Sequence, residues 1–301
     1  MTLTDQSQKK FRDVLFGSAR LRLYGWLSLA TQIGIVVTGG AVRLTGSGLG
    51  CPTWPRCTED SFVSTPEMGF HGVIEFGNRL LTFVLLIVAI LTFITVIRAR
   101  RQYKGLILPA VGLGLGIIVQ AVIGGITVLT GLNSWVVGLH FLVSGLLIAL
   151  ASLLVWRIYS PAPEPISQLS HLSRWPIVIF GSVAIVVGVV VTGAGPHAGD
   201  ANTPRNGLDL EVWQHYHSYP AYIMTGLMLI ALVSQWQMQK SWSISVRALA
   251  IGTLIAVVQA VVGIIQSRTG VPALLVGVHM LGAALTCSVI AFQALALKRR
   301  Y

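Results

Sequence analysis

The chain has 301 residues, of which 54% are hydrophobic and only 10% charged. That balance excludes an ordinary soluble domain and points to a polytopic membrane protein. The net charge of +11 is a topology signal, as its distribution shows, and no nucleic-acid partner is expected from it.

A spanning helix needs roughly 20 predominantly apolar residues. Eight stretches qualify, approximately 22–43, 70–97, 105–130, 135–157, 175–195, 213–238, 246–268 and 272–297. The first is long and follows a polar start, unlike a cleavable signal. The expected fold class is therefore an all-α polytopic membrane protein with eight transmembrane helices. With the N-terminus in the cytoplasm, most of the 21 Lys and Arg fall on that side: those before the first helix, Arg98–Lys104, Arg157, Arg174, Lys240, Arg247 and Lys298–Arg300. Glu59, Asp60, Glu67, Glu75, Asp200, Asp209 and Glu211 fall at the opposite face. This positive-inside pattern places both termini in the cytoplasm and the protein in the cell membrane.

The first helix ends in GIVVTGGAVRLTGSGLG and the fifth in GVVVTGAGPHAG, which share a core at Gly34–Gly39 and Gly188–Gly193. The chain thus reads as two pseudo-symmetric four-helix bundles, 1–160 and 175–301. A cytoplasmic linker over 161–174 joins them, carrying Pro161, Pro163, Pro165 and His171. The first half has extra residues in the loop 44–70, which contains CPTWPRC. Cys51 and Cys57 lie there on an oxidising face where a disulfide can persist; two unpaired thiols are the alternative. Cys287 is mid-helix and reads as a small core residue.

The second helix opens HGVIEFGNRLL. Glu75 and Arg79 are ionisable groups inside a spanning segment, functional candidates by default. Four residues apart, they share a helix face and can form a structural ion pair instead. His71 lies on the same face.

The stretch QAVIGGITVLTGLNSWVVGLH, Gln120–His140, recurs as QAVVGIIQSRTGVPALLVGVH, Gln259–His279. Its Gln, Thr-Gly and Gly-x-His matches are not the product of apolar composition. The same offset lays Glu75, Phe76 and Asn78 on Gln214, His215 and His217. Asn78, His140, His217 and His279 therefore stand near the outer ends of helices two, four, six and eight, at matched depth, one pair to each half. Neutral imidazoles on facing helices are good iron ligands, and bundle interiors build cofactor sites this way. Gly138 and Gly277 leave room for close helix approach or for a flat macrocycle. Arg43, Arg79, Arg205 and Arg268 lie at the outer edge, where haem propionates require donors. Zinc lacks a third and fourth ligand at that depth. His217 and His279 form the stronger site, with His215 competing for the role of His217.

VTGGAVRLTGSGLGCPTWPRC, EFGNR, the two Gly-x-His helices and GAGPHAGD together resemble the haem A synthases of aerobic bacteria, over all eight helices. The resemblance implies an oxidoreductase that converts haem O to haem A by two successive oxidations of a ring methyl group to a formyl. It implies haem b between His217 and His279, haem O as substrate in the N-terminal half, Glu75 as the essential glutamate, and Cys51 and Cys57 as the external cysteine pair. A haem O synthase is implied as partner. The family often carries Glu-x-x-His in helix two, whereas this chain has Asn78. His140 is then the single protein ligand of the substrate haem, with Asn78 hydrogen-bonding near the other face; an inactive N-terminal half is the alternative.

Two other functions fit parts of the pattern. A b-type cytochrome confined to electron transfer explains His217 and His279 but not Glu75 or the asymmetry of the halves. A transporter explains duplication, but transporter repeats place polar residues near the midplane. The electron acceptor is unspecified and a homo-oligomer is left open. His171 and His197 read as solvated loop residues. The glycine run 39–50 lacks the strand–helix context of a phosphate-binding loop.

Overall fold

The computed structural model describes residues 17–298. Eight helices are long and apolar enough to cross a membrane, and among the described residues there is no strand. They are α1 (Ser18–Leu44), α2 (Gly69–Ala99), α3 (Ile107–Leu129), α4 (Ser134–Tyr159), α5 (Gln168–Ala194), α6 (Leu210–Gln239), α7 (Ile244–Arg268) and α8 (Ala273–Ala296). A 3₁₀ turn, Pro66–Met68, precedes α2. The basic residues Lys9, Lys10, Arg12, Arg299 and Arg300, used above in the topology argument, lie outside the described residues.

Helices dominate because every backbone N–H and C=O must be satisfied within its own segment in a lipid environment. Four of the N-termini are capped by side chains. Asn133 accepts from Trp135 N, Asp209 from Val212 N, and Ser167 from Ser170 N. Large apolar side chains such as Phe83, Ile87, Leu108, Leu146 and Leu254 point outward, an arrangement suited to contact with lipid tails rather than water.

One boundary differs from the sequence expectation. α5 begins at Gln168, so His171 and Arg174 are helical and not part of a loop. The polar first turns of α5 are accommodated because they face protein: Ser170 Oγ donates to the Ala231 carbonyl of α6 at 2.8 Å, and Arg174 Nε donates to the Ala294 carbonyl of α8 at 2.5 Å. His171 Nδ1 lies 3.2 Å from the Leu297 carbonyl. The irregular connection is thus confined to 160–167.

Packing follows a closed order in each half. α1 packs on α2, α2 on α3, α3 on α4 and α4 on α1; α5 to α8 repeat that order. The halves meet through α1, α4, α5 and α8. Glycines allow the approach: a Cβ on Gly138 of α4 would stand 2.6 Å from Val189 of α5, and one on Gly277 of α8 would stand 3.3 Å from Leu44 of α1. Gly138 and Gly277 therefore serve contact between helices. Ser152 of α4 and Ser288 of α8 share a buried hydrogen bond of 2.8 Å across the seam.

Candidate functional site

Asn78, His140, His217 and His279 each sit about two turns into their helices, on α2, α4, α6 and α8. Within each half these are the diagonal helices, which make no direct backbone contact among the described residues. A side chain pair reaching inward from them meets across the bundle interior.

In the C-terminal half the pair does meet. The rings of His217 and His279 have centroids 6.1 Å apart and planes at 82°. His217 Nδ1 donates to the Ala184 carbonyl of α5 at 2.9 Å, which leaves Nε2 with the lone pair. His279 Nδ1 is buried without a partner. His215, the competitor, is exposed, and its Nδ1 donates to the Glu211 carbonyl one turn back.

This donor set fits haem. Two metal–imidazole bonds of about 2 Å each, with the depth of two rings, span the separation observed. Among the described residues, no group of three or more His, Cys, Asp or Glu is placed to hold a bare metal ion. Two imidazoles meeting across a bundle interior suit a group that brings its own equatorial donors.

Each of the four residues faces a glycine on the preceding helix. A Cβ on Gly188 would lie 2.8 Å from His217 Cε1, one on Gly124 3.3 Å from His140 Cε1, one on Gly263 3.4 Å from His279 Cε1, and one on Gly39 3.9 Å from Asn78 Nδ2. Gly124 and Gly263 are equivalent in the internal repeat, as are Gln120 and Gln259. Gln120 Nε2 donates to the His140 carbonyl at 3.0 Å, and Gln259 Nε2 to the His279 carbonyl at 3.1 Å. The repeated sequence thus builds one local arrangement twice. Sequence reading noticed the recurring Gln but assigned it no task; the signal was its spacing of one turn from the facing glycine.

In the N-terminal half, His140 Nδ1 and Asn78 Oδ1 are both buried without a hydrogen-bond partner. Glu75, three residues before Asn78, is buried. One of its carboxylate oxygens accepts from the Cys51 backbone N–H at 2.6 Å, and the other receives Arg79 at 2.5 Å. Arg79 also donates to the carbonyls of Cys51, Thr53 and Arg56. Cys51 and Cys57 are joined in a disulfide, with Cα atoms 4.4 Å apart, and both are fully buried. Glu75 and Arg79 therefore form the structural ion pair weighed above, and they also clasp the start of the cysteine loop. The loop continues over α3, where a Cβ on Gly125 would stand 2.3 Å from the Trp54 indole. This contact of Trp54 has no sequence signature beyond an unexplained glycine.

The remaining candidates hold loops. His71 Nδ1 lies 2.8 Å from Ser47 Oγ and the residue is exposed. Arg43 donates to the carbonyls of His197 and Thr192, and Arg205 to those of Thr203 and Pro196. Arg268 is exposed. His197 is not simply solvated: it is half-buried, and its Nε2 donates to the Val271 carbonyl at 2.8 Å.

Fold and site together define a multi-pass helical membrane protein with an opposed histidine pair inside one bundle and a disulfide-bridged loop over the other. Residues 22–291 match the model of the COX15-CtaA cytochrome oxidase assembly protein family. The chain belongs to that family. Among curated relatives, it is similar to the haem A synthase of Bacillus pumilus (strain SAFR-032), 30% identical over 182 residues, covering 58% of this chain and 57% of the relative. It is similar to that of Geobacillus kaustophilus (strain HTA426), 32% identical over 161 residues, covering 52% of this chain and 48% of the relative. These two matches span about half the length of each relative. A match to the haem A synthase of Listeria welshimeri serovar 6b extends over 93% of this chain and 96% of the relative, at 23% identity. The relatives' common name does not favour the electron-carrier alternative.

Proposed function

We propose that this protein is a haem A synthase of the cell membrane, an oxidoreductase that takes haem O and oxidises one ring methyl group in two successive rounds to a formyl. The observation that carries the reading is the Gln–Gly–His arrangement built once in each half, complete with a facing histidine in only one of them. In the complete half, 175–301, His217 and His279 would hold haem b. Bound there, it would supply a one-electron redox centre. The other half, 1–160, receives haem O, with His140 as its protein ligand and Asn78 opposite. A single imidazole leaves the second face open, which suits oxidation better than two.

The chain's own residues supply orientation and charge. Asn78 presents an amide that can hydrogen-bond a group on the open face. Glu75 lies on the same helix face as Asn78, and its carboxylate is fixed by Arg79 and the Cys51 amide. Each carboxylate oxygen keeps acceptor capacity beyond those bonds, so Glu75 can take a proton released as the methyl carbon is oxidised or stabilise developing positive charge. The disulfide-bridged loop covers that end of the half and limits access of water. Arg98–Lys104, Lys240 and Arg247 on one side, with the acids Asp200, Asp209 and Glu211 on the other, support a reading with the termini in the cytoplasm and the haem sites near the outer face. A haem O synthase supplies the substrate.

The test is chromatography with mass detection of haems extracted from cells expressing the chain with and without a haem O synthase. Haem A is expected only when both are present. Haem b alone in both cultures would overturn the synthase reading. Glu75→Gln should still carry haem b but accumulate haem O or a partly oxidised haem; normal haem A from that variant would remove Glu75 from the chemistry.

A further inference from the structure

α3 and α7 carry the same pair of residues one turn apart, Gln120 with Gly124 and Gln259 with Gly263, and each pair engages the histidine of the following helix at two points. The glutamine amide bonds the histidine's backbone carbonyl, at 3.0 Å in one half and 3.1 Å in the other. The glycine leaves a slot that the imidazole's Cε1 edge enters, 3.3 and 3.4 Å from where a Cβ would stand. We propose that Gln120 and Gln259 are positioning residues, which with Gly124 and Gly263 set the depth and rotation of the His140 and His279 imidazoles toward their haems.

The physical argument is one of two-point fixation. A ring on a helix has two soft degrees of freedom that matter to an axial ligand: rotation of the helix about its own axis and rotation about the side-chain torsions. A second donor on the carbonyl of the histidine itself fixes the first, because it ties that turn of the helix to its neighbour. The slot restricts the second, since the ring edge lies 3.3 and 3.4 Å from where a Cβ would stand on the facing glycine. In α4 the tie is reinforced, because Gln120 also donates to Ser144 Oγ, which in turn donates to the His140 carbonyl at 3.0 Å. In α8 the Gln259 side chain is pressed against Gly282, where a Cβ would stand 2.0 Å from its Oε1. Both glutamines are thereby held in one rotamer. His217 is handled differently: its ring nitrogen is bound directly by the Ala184 carbonyl. The two faces of the C-terminal site are thus oriented by different means, one through the ring and one through the backbone.

This rests on the reading of His279 and His140 as axial ligands, and the experiment separates the two. Purified wild-type protein, Gln259→Met, Gly263→Ala, Gln120→Met and His279→Ala would be compared for haem b per protein, for the midpoint potential of haem b and for its low-spin electron paramagnetic signature. Gln259→Met removes the donor at similar length. It is expected to shift the potential and the paramagnetic signature and to weaken haem retention by about tenfold, as loss of a group that orients a metal ligand does. Gly263→Ala keeps the hydrogen bond and brings a methyl to 3.4 Å from the ring's Cε1, the near edge of ordinary contact, and should move the same two signals by less than Gln259→Met does. Gln120→Met should leave the haem b signals as in wild type while lowering haem A output. Unaltered potential, signature and haem content in both Gln259→Met and Gly263→Ala would overturn the positioning role while leaving haem ligation intact. A wild-type protein without haem b, or a His279→Ala variant that keeps it unchanged, would overturn the ligand reading and this proposal with it.

Discussion

Asn78 and His217 stand at equivalent places in the internal repeat and differ in one functional group. An imidazole at that place closes a site from both faces; an amide can hydrogen-bond but is a poor iron ligand. Replacing Asn78 by His, the residue the family often carries there, should therefore create a second bis-histidine site with its own low-spin signal and change haem A output, measured by extraction and spectroscopy on the same membranes. Unchanged haem A would show that ligation at this place does not govern the reaction. The His217–His279 pair was legible in the sequence because a duplicated frame put both residues in register. The tasks of His71 and Arg43, and the loop contacts of Arg79 beyond its pairing with Glu75, were not, because their partners are Ser47 and backbone carbonyls, in loops whose path no periodicity encodes. Glycines were legible in part. Gly138 and Gly277 serve the close helix approach that was one of their two expected uses, whereas the glycines that face the rings lie on neighbouring helices and can be found only by pairing α3 with α4, α5 with α6 and α7 with α8.

The eight helices themselves were legible to within about four residues at each end, since length and apolarity decide them. α5 was the exception, because its first two turns are polar and Pro176 follows them; burial of Ser170 and Ser173 against protein made helix possible there. The cysteine loop is the element least readable in advance. It is held at its start by Glu75 and Arg79, at Gly50 by contact with the backbone of His71, and at Trp54 by the surface of α3. A Cβ at Gly50 would fall 2.2 Å from the His71 carbonyl oxygen, a neighbour that cannot move without shifting α2. Gly125→Ala asks less, because the indole can leave. That variant should displace Trp54, destabilise the docked loop by about 1–3 kcal/mol, and speed its cleavage by protease in membrane vesicles. Haem b in the other half should be retained. Loop cleavage at the wild-type rate would show that the Trp54 contact does not hold it.

At the scale of the whole molecule, the halves are tied at both ends. At one end Arg43 of α1 bonds the carbonyls of Thr192 and His197, and Gly48 N donates to the Gly199 carbonyl at 2.8 Å. At the other, the connection 160–167 is pinned to the second half. Glu164 accepts from the backbone of Ile244 at 2.7 Å and of Ser245 at 2.9 Å, at the start of α7, where a carboxylate also meets the positive end of the helix. Burial by itself raises the Glu164 carboxyl, but the Ser245 and Ile244 amides and the Ser245 and Ser243 hydroxyls more than reverse this and hold it below the ordinary glutamate range. A lowered folded-state value contributes stability that is present above the unfolded value and is lost as pH falls through the folded one. Thermal stability in detergent should therefore carry a Glu164-dependent decline below roughly pH 4. Glu164→Gln should be less stable at neutral pH and lose that part of the decline; an unchanged acid profile would count against the cap.

The seam between α4 and α8 carries a consequence for the two halves. Gly145 of α4 meets Cys287 of α8, where a Cβ would stand 3.1 Å from the sulfur. In the repeat register Gly145 corresponds to Ala284 and Cys287 to Ile148, and all of Ile148, Ala284 and Cys287 lie in one buried cluster. Both sets of equivalent places thus lie at the seam between the halves, as they would at an isologous dimer interface. Unlike two identical subunits, two halves of one chain can differ on one side only, as they do at Asn78 against His217 and in the cysteine loop.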